Sequence, residues 1–292
     1  MMLLTARRLI ASFALLGFAG AALAAQPLKL DIYNPGEEAI FPVSSVLVTA
    51  EKDAILVDAQ FSKTQADQII EKIRKSGKNL TTIYISHGDP DFYFGLQAIT
   101  EAYPKAKVVA SAQTVAHINE TKDAKLAYWG PKLGAGAPGK VIVPDVLQGN
   151  ELKLEGQTLK VVGLDGPQPD RSFIWIPSIK AVVGGVVLSS NIHVWMADTQ
   201  SAKSHQDWLA TLATIEKLKP AIIVPGHFLP GELNALQSPN FTAGYIKTFD
   251  AEAAKAKDSG ALIAAMKAHY PKLADDSSLV LSAKVAKGEV KW

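Results

Sequence analysis

Hydrophobic positions along this chain follow two periods. Short β-branched runs and two-residue alternations mark strands, and a spacing of three to four residues marks helices. Leu28 to Tyr33 reads as a short strand. Val43 to Thr49 and Ala54 to Asp58 are joined by the turn Ala50-Glu51-Lys52-Asp53, which predicts a β-hairpin. Ser62 to Gly77 is a helix: Ser62 and Gln65 form a capping box, Ala66, Ile69, Ile70 and Ile73 share a face, and Gly77 stops it. Thr81 to Ile85 is a buried-type strand that runs into the polar loop Ser86-His87-Gly88-Asp89-Pro90-Asp91. A helix from Phe92 to Tyr103 and a strand from Lys107 to Ala110 follow. Residues 120–140, rich in Gly, Pro, Lys and Ala, read as a long surface segment or lid. Val141 to Gly163 holds two or three short strands, and Ser172 to Ile176 and Ala181 to Leu188 two more. Ser201 to Leu218 is a capped helix ended by Pro220, and Ala221 to Val224 is a strand leading into Pro225-Gly226-His227. From about Asn234 the chain is Ala- and Lys-rich and helical. No repeat or linker interrupts it, so residues 25–292 are expected to form one α/β domain with a helical C-terminal extension.

The N-terminus has a different pattern. Arg7 and Arg8 precede an apolar run from Leu9 to Leu23 that ends in Ala22-Leu23-Ala24. This three-part arrangement is that of a secretory signal peptide over residues 1–24, which implies export to the periplasm or beyond. The rival is an uncleaved membrane anchor, for which the run is short and rich in Ala and Gly. Without residues 1–24 the chain carries 28 basic residues (30 less Arg7 and Arg8) and 28 acidic ones. That balance gives no basic field for nucleic acid or anionic lipid, leaving a small-molecule substrate as the expected partner. The sequence contains no cysteine. Disulfides, thiol nucleophiles and Cys-based zinc sites are therefore excluded, and any metal must be held by His and carboxylates.

Three polar features each follow a predicted strand, where α/β folds build their sites. They are the loop Ser86–Asp91, the stretch Asn191-Ile192-His193-Val194-Trp195, and Pro225-Gly226-His227. The first loop offers His87, Asp89 and Asp91, donors that zinc, iron or manganese accept. Gly, Asp and Pro also build plain solvated turns, and that reading stays open here.

The stretch Ile83 to Gly95 resembles the metal loop of the metallo-β-lactamase superfamily, in which His-x-His-x-Asp-His follows a buried strand. A hairpin ending in Asp58, then helix, strand and loop, and later a strand ending in Gly226-His227, repeat that family's order over roughly residues 30–230. The resemblance implies an αββα four-layer sandwich with a divalent metal at one edge of two sheets. His87, Asp91 and His227 match the family pattern, and Asp89 replaces a His but is still a donor. Phe92 replaces the third His, and Gly185 stands where the family has a bridging Asp. Asp165 is the candidate for the mid-chain ligand, and His193, eight residues after Gly185, for a substitute. This donor set implies one ion rather than two, most simply zinc. The loop His87-Gly88-Asp89-Pro90-Asp91-Phe92-Tyr93-Phe94-Gly95 is similar to that of exported members described only as metallo-hydrolases.

Two functions follow, beside a third that the resemblance also admits: another enzyme class of the superfamily, such as a phosphodiesterase or an iron oxidoreductase, disfavoured because phosphoester chemistry usually relies on two metals. One is an exported metal-dependent hydrolase in which His87, Asp89 and His227, completed by Asp165 or His193, hold an ion that activates water toward an ester, lactone or amide, while Asp91, as ligand or base, orients the nucleophile. The other is a metal-free ligand-binding protein on the same fold, suggested by the replacements at Phe92 and Gly185. Asp58 reads as a structural group near the loop. Asp170 and Arg171 read as a surface ion pair rather than a carboxylate clamp. Tyr93, Trp129 and Trp195 are cleft or packing residues, and His117, His205 and His269 are surface or helix-packing ones.

Overall fold

A computed structural model describes residues 26–292. The expected signal peptide lies outside the described residues. Within them, no helix is long and apolar enough to cross a membrane.

The first half of the chain builds a six-stranded sheet in sequence order. Its strands are β1 (Lys29–Tyr33), β2 (Ser45–Thr49), β3 (Asp53–Val57), β4 (Asn79–Ile85), β5 (Lys107–Ala110) and β6 (Asp145–Val146). β2 and β3 pair antiparallel, as the hairpin pattern predicts, and β1 pairs antiparallel with β2. β3 and β4 pair parallel, and α1 (Lys63–Ser76) makes the crossover between them. The predicted helix cap is present: Ser62 and Gln65 satisfy each other's backbone amides, and Gly77 closes the helix with φ of 65°. The single helix expected from Phe92 to Tyr103 is instead two: α2 (Pro90–Tyr93) and α3 (Leu96–Ala102). They are separated at Gly95, whose amide donates to the Gln60 carbonyl rather than continuing one helix.

The expected lid is corrected more substantially. Residues 112–133 form one helix, α4 (Ala112–Leu133), capped by Ser111. Glu, Lys, Ala and Leu dominate residues 120–126 and favour helix. Gly130 and Pro131, which suggested a loop, fall in its last turn. Only Thr114 and Ile118 are buried in it, so no hydrophobic period announced it.

The second half forms a five-stranded sheet, β12-β10-β9-β8-β7. Its strands are β7 (Glu151–Leu154), β8 (Gln157–Val162), β9 (Phe173–Ile176), β10 (Ala181–Val183) and β12 (Ile222–Val224). The predicted strand Ala181 to Leu188 breaks after Val183, because Gly184 and Gly185 both take positive φ. β11 (Ser189–Ser190) then pairs with β13 (His227–Phe228) in a separate ribbon. α5 (Ala202–Lys217), α6 (Ser238–Lys255), α7 (Ser259–His269) and α8 (Asp276–Ala286) cover the outer face. On α5 and α6, His205 meets Asp250 at 2.6 Å, a helix-packing pair.

Strand alternation places the layers. Val46, Val48, Ile55, Val57 and Tyr84 meet Leu159, Val161, Ile174, Ile176 and Val183 between the two sheets. Their odd-and-even neighbours Leu47, Leu56, Ile83 and Ile85 face the other way, against Ile69, Ile73 and Ile99 of α1 and α3. Phe173 and Val182 pack outward on Trp208, Leu212, Tyr245 and Leu279. Helices, sheet, sheet and helices stack in that order, the αββα arrangement. The strand ends carrying the polar loops open on one edge.

Candidate active-site cavity

A cavity of about 700 Å³ lies at that edge, reached by His87, Asp89, Asp91, Arg171, His193 and His227. Beneath it Asp58, fully buried with φ of 64°, accepts hydrogen bonds from the Ser86 amide at 2.8 Å and the Ser86 hydroxyl at 2.7 Å. The Ser86 oxygen in turn accepts from the Gly185 amide at 3.1 Å. Asp58 therefore fixes the start of the loop and ties it to the second sheet, the structural role its position suggested.

Burial pushes the Asp58 carboxyl up to about 7, against the lowering effect of the two Ser86 bonds and of His87. The unfolded carboxyl has the ordinary value of 3.8. Between those values the folded protein keeps a proton that the unfolded chain has released. Asp58's contribution to stability is therefore complete below about pH 4 and is lost as pH rises to 7, on the order of 4 kcal/mol in all. An Asp58→Asn variant mimics the protonated form. It is expected to lack this slope and to exceed the parent in urea midpoint at pH 8 but not at pH 4. Parallel midpoints at both pH values would show that Asp58 does not titrate in this window.

The side chains above form two separate pairs. In the first, His87 Nδ1–H donates to the Asp170 carbonyl at 3.1 Å and Nε2 faces Asp89 Oδ2 at 3.1 Å. Both nitrogens meet acceptors, so the doubly protonated ring satisfies both. Burial opposes that charge, but the Asp89 carboxylate and the Asp170 carbonyl outweigh it and raise the His87 pKa. Asp89 is held well below the usual carboxylate range: its burial is overcome by His87 and Lys125. Lys125 Nζ, from α4, donates to the other Asp89 oxygen, to the Gly88 carbonyl at 3.2 Å and to His117 Nε2 at 3.2 Å. Burial, and then the nearby Lys125 charge, push the His117 pKa down. In the second pair His227 Nε2–H donates to Asp91 Oδ2 at 2.7 Å.

The Phe92 ring stands between the two pairs. It lies edge-on to His87 with centroids 5.4 Å apart and to His227 at 5.3 Å. Gly185 adds no donor, and a Cβ there would sit 2.4 Å from the Ser172 carbonyl oxygen. The backbone also closes from the other side, where a Cβ on Gly226 would lie 2.2 Å from the Gly185 carbonyl oxygen. Asp165 is not part of the cavity wall: the turn closed by Gly166 N–H to the Gly163 carbonyl, at 2.9 Å, carries it outward. His193 does reach the cavity, but its Nδ1 meets the Tyr245 hydroxyl at 3.0 Å, and its Nε2 lies 3.9 Å from Asp276. The donor set expected to gather around one ion is thus divided in two, with one candidate outside and another facing elsewhere. Among the described residues, no three His, Asp or Glu side chains are placed to hold a metal ion.

The profile of the metallo-beta-lactamase superfamily matches residues 40–227, which hold every member of both pairs and the strands beneath them. The chain belongs to the metallo-β-lactamase superfamily. Solved structures agree on the fold. A metallo-beta-lactamase family protein from Thermus thermophilus superposes with a TM-score of 0.62 at 17% identity, over 89% of this chain and 91% of that one. A metallo-beta-lactamase from Pontibacter korlensis gives 0.53 at 16%, over 76% and 96%. The DIM-1 metallo-beta-lactamase gives 0.52 at 20%, over 77% and 99%. No curated protein matches the chain. Superfamily members are mostly hydrolases, and the fold commonly binds divalent metals such as zinc. Catalytic zinc sites use three protein ligands with an open position. Each pair here supplies two, and the first already has a fixed ammonium on its carboxylate. The residues present do not fit the family's metal.

Sequence reasoning singles out no role for Lys125, reads His117 as a surface or helix-packing residue, and sets Arg171 in a surface ion pair rather than a carboxylate clamp. Lys125 reaches Asp89 across 36 positions from a helix read as a lid. His117 lines the cavity and stacks on His87, with centroids 6.5 Å apart, instead of sitting on the surface. Arg171 is not a surface ion-pair residue: it is 4% exposed. Trp129 and Trp195 line the cavity, whereas Tyr93 is fully buried in the first core.

Proposed function

We propose that this chain is an exported, metal-free member of the superfamily whose cavity binds a small organic molecule. The observation that carries this reading is Phe92 between His87 and His227, with Lys125 on Asp89. Together they replace a set of metal donors by two hydrogen-bonded acid–base pairs and a fixed positive charge. Around these polar groups the wall is aromatic, including Phe41, Trp129, Trp195 and Trp208, as in pockets for organic ligands. The apolar leader before residue 25 supports export.

The second reading is the metal-dependent hydrolase of an ester, lactone or amide. It is favoured by the placement of His87, Asp89, Asp91 and His227 on one cavity at the family's loop positions. Elemental analysis separates the two. Protein purified without chelator is expected to hold well below one equivalent of zinc, iron or manganese, and to show no thermal shift when these are added. One equivalent, lost in a His87→Ala, His227→Ala double variant, would replace the metal-free reading by the hydrolase.

A further inference from the structure

Arg171 is the buried charge that nothing described in this chain neutralises directly. It precedes β9, is 4% exposed and lines the cavity. Its guanidinium lies over the Trp208 ring, 4.5 Å from the centroid. Its Nε is enclosed and meets no acceptor, and among the described residues the side chain forms no ion pair. Asp198, Asp170 and Asp89 surround it at longer range. Two of these are already engaged. Asp89 serves His87 and Lys125, and Asp198 accepts the indole N–H groups of Trp195 at 2.7 Å and Trp292 at 2.6 Å. A buried cation without a partner is costly unless an anion completes it, and the planar guanidinium fork matches a carboxylate.

An aromatic cluster lines the same cavity. Phe41 meets Trp129 edge-on with centroids 5.3 Å apart and Trp195 at 5.8 Å, and Trp195 meets Trp292 at 5.3 Å. We propose that Arg171 is the anion-binding end of the cavity and that its ligand is a small aromatic monocarboxylate, with the ring against Trp129 and Trp195. The three acids near Arg171 favour a single negative charge over a phosphate dianion. The proposal rests on the reading of the cavity as a small-molecule site and is independent of any metal.

The test uses 2-naphthoate and its neutral isostere 2-naphthamide as probes, followed by intrinsic tryptophan fluorescence and by calorimetry. The intact protein is expected to bind the naphthoate at least about tenfold more tightly, as a charge-assisted hydrogen bond to a guanidinium implies. Arg171→Gln is expected to abolish the preference, and Arg171→Lys to restore part of it. A purely structural Arg171 would lower the melting temperature in Arg171→Gln and leave the two probes equal in the parent. Equal binding in the parent overturns the anion site while keeping the small-molecule reading. Binding of neither probe at millimolar concentration overturns both. The comparison within the parent decides the matter even where Arg171→Gln fails to fold.

Discussion

A Phe92→His variant is expected to take up close to one equivalent of zinc where the parent holds none above background. The ring it replaces touches both His87 and His227 edge-on, so an imidazole at this position would lie within reach of Asp91 and His227. That raises the donors of the second pair from two to three, the number catalytic zinc sites use. Phe92 is fully buried, and placing an imidazole there without metal costs about 1–3 kcal/mol. Zinc should return that loss as a rise in melting temperature, because it binds only the folded chain. Phe92→Leu, which removes the ring without adding a donor, is the control and should remain metal-free. The measurement is zinc content after dialysis against the free ion, with affinity from chelator competition. If Phe92→His binds no more zinc than Phe92→Leu, the second pair is not a metal half-site, and the family's metal geometry has been lost more deeply than one side chain.

Restoring the other missing donor should fail. Gly185→Asp is expected to destabilise the protein by about 3 kcal/mol or more and to bind no metal ion. Position 185 has φ of 83°, which costs a residue with a side chain about 1–3 kcal/mol on its own. To this is added the Cβ contact of 2.4 Å with the Ser172 carbonyl, which belongs to the backbone and cannot swing aside. Gly156→Ala separates the two effects. Gly156 has φ of 81° but nothing within 4 Å of the added carbon, so it should show the backbone strain alone. Urea midpoints of the three proteins give the comparison. A Gly185→Asp variant no less stable than Gly156→Ala would mean that the backbone yields there, and the packing of Gly185 on Ser172 would not explain the missing carboxylate.

Much of this was legible in the amino-acid order. The β2–β3 hairpin, the capping box at Ser62, and the polar loops after β4 and β12 follow from local periods and turn chemistry, which act over a few residues. The replacements at Phe92 and Gly185 were visible too, because the loop and the final Gly226-His227 keep a recognisable spacing. What escaped depends on direction rather than identity. Nothing adjacent to Lys125 tells that α4 runs past Asp89. Asp170 beside Arg171 suggested a surface pair, but the chain turns the guanidinium inward onto Trp208. Asp165 looked like a ligand because it follows a strand, and the Gly163–Gly166 turn sends it outward.

The Asp91–His227 bond joins residues 136 positions apart and lies where the Val43–His227 bridge and the Ser44 hydroxyl to Pro225 carbonyl bond, at 2.7 Å, tie the two halves together. Contacts of such long range form slowly, since the entropy of closing the long intervening loop must be overcome before they stabilise anything. During refolding, helix formation measured by circular dichroism should therefore precede the appearance of probe binding. A chain arrested with only its first sheet formed would have His87, Asp89 and Asp91 but no cavity.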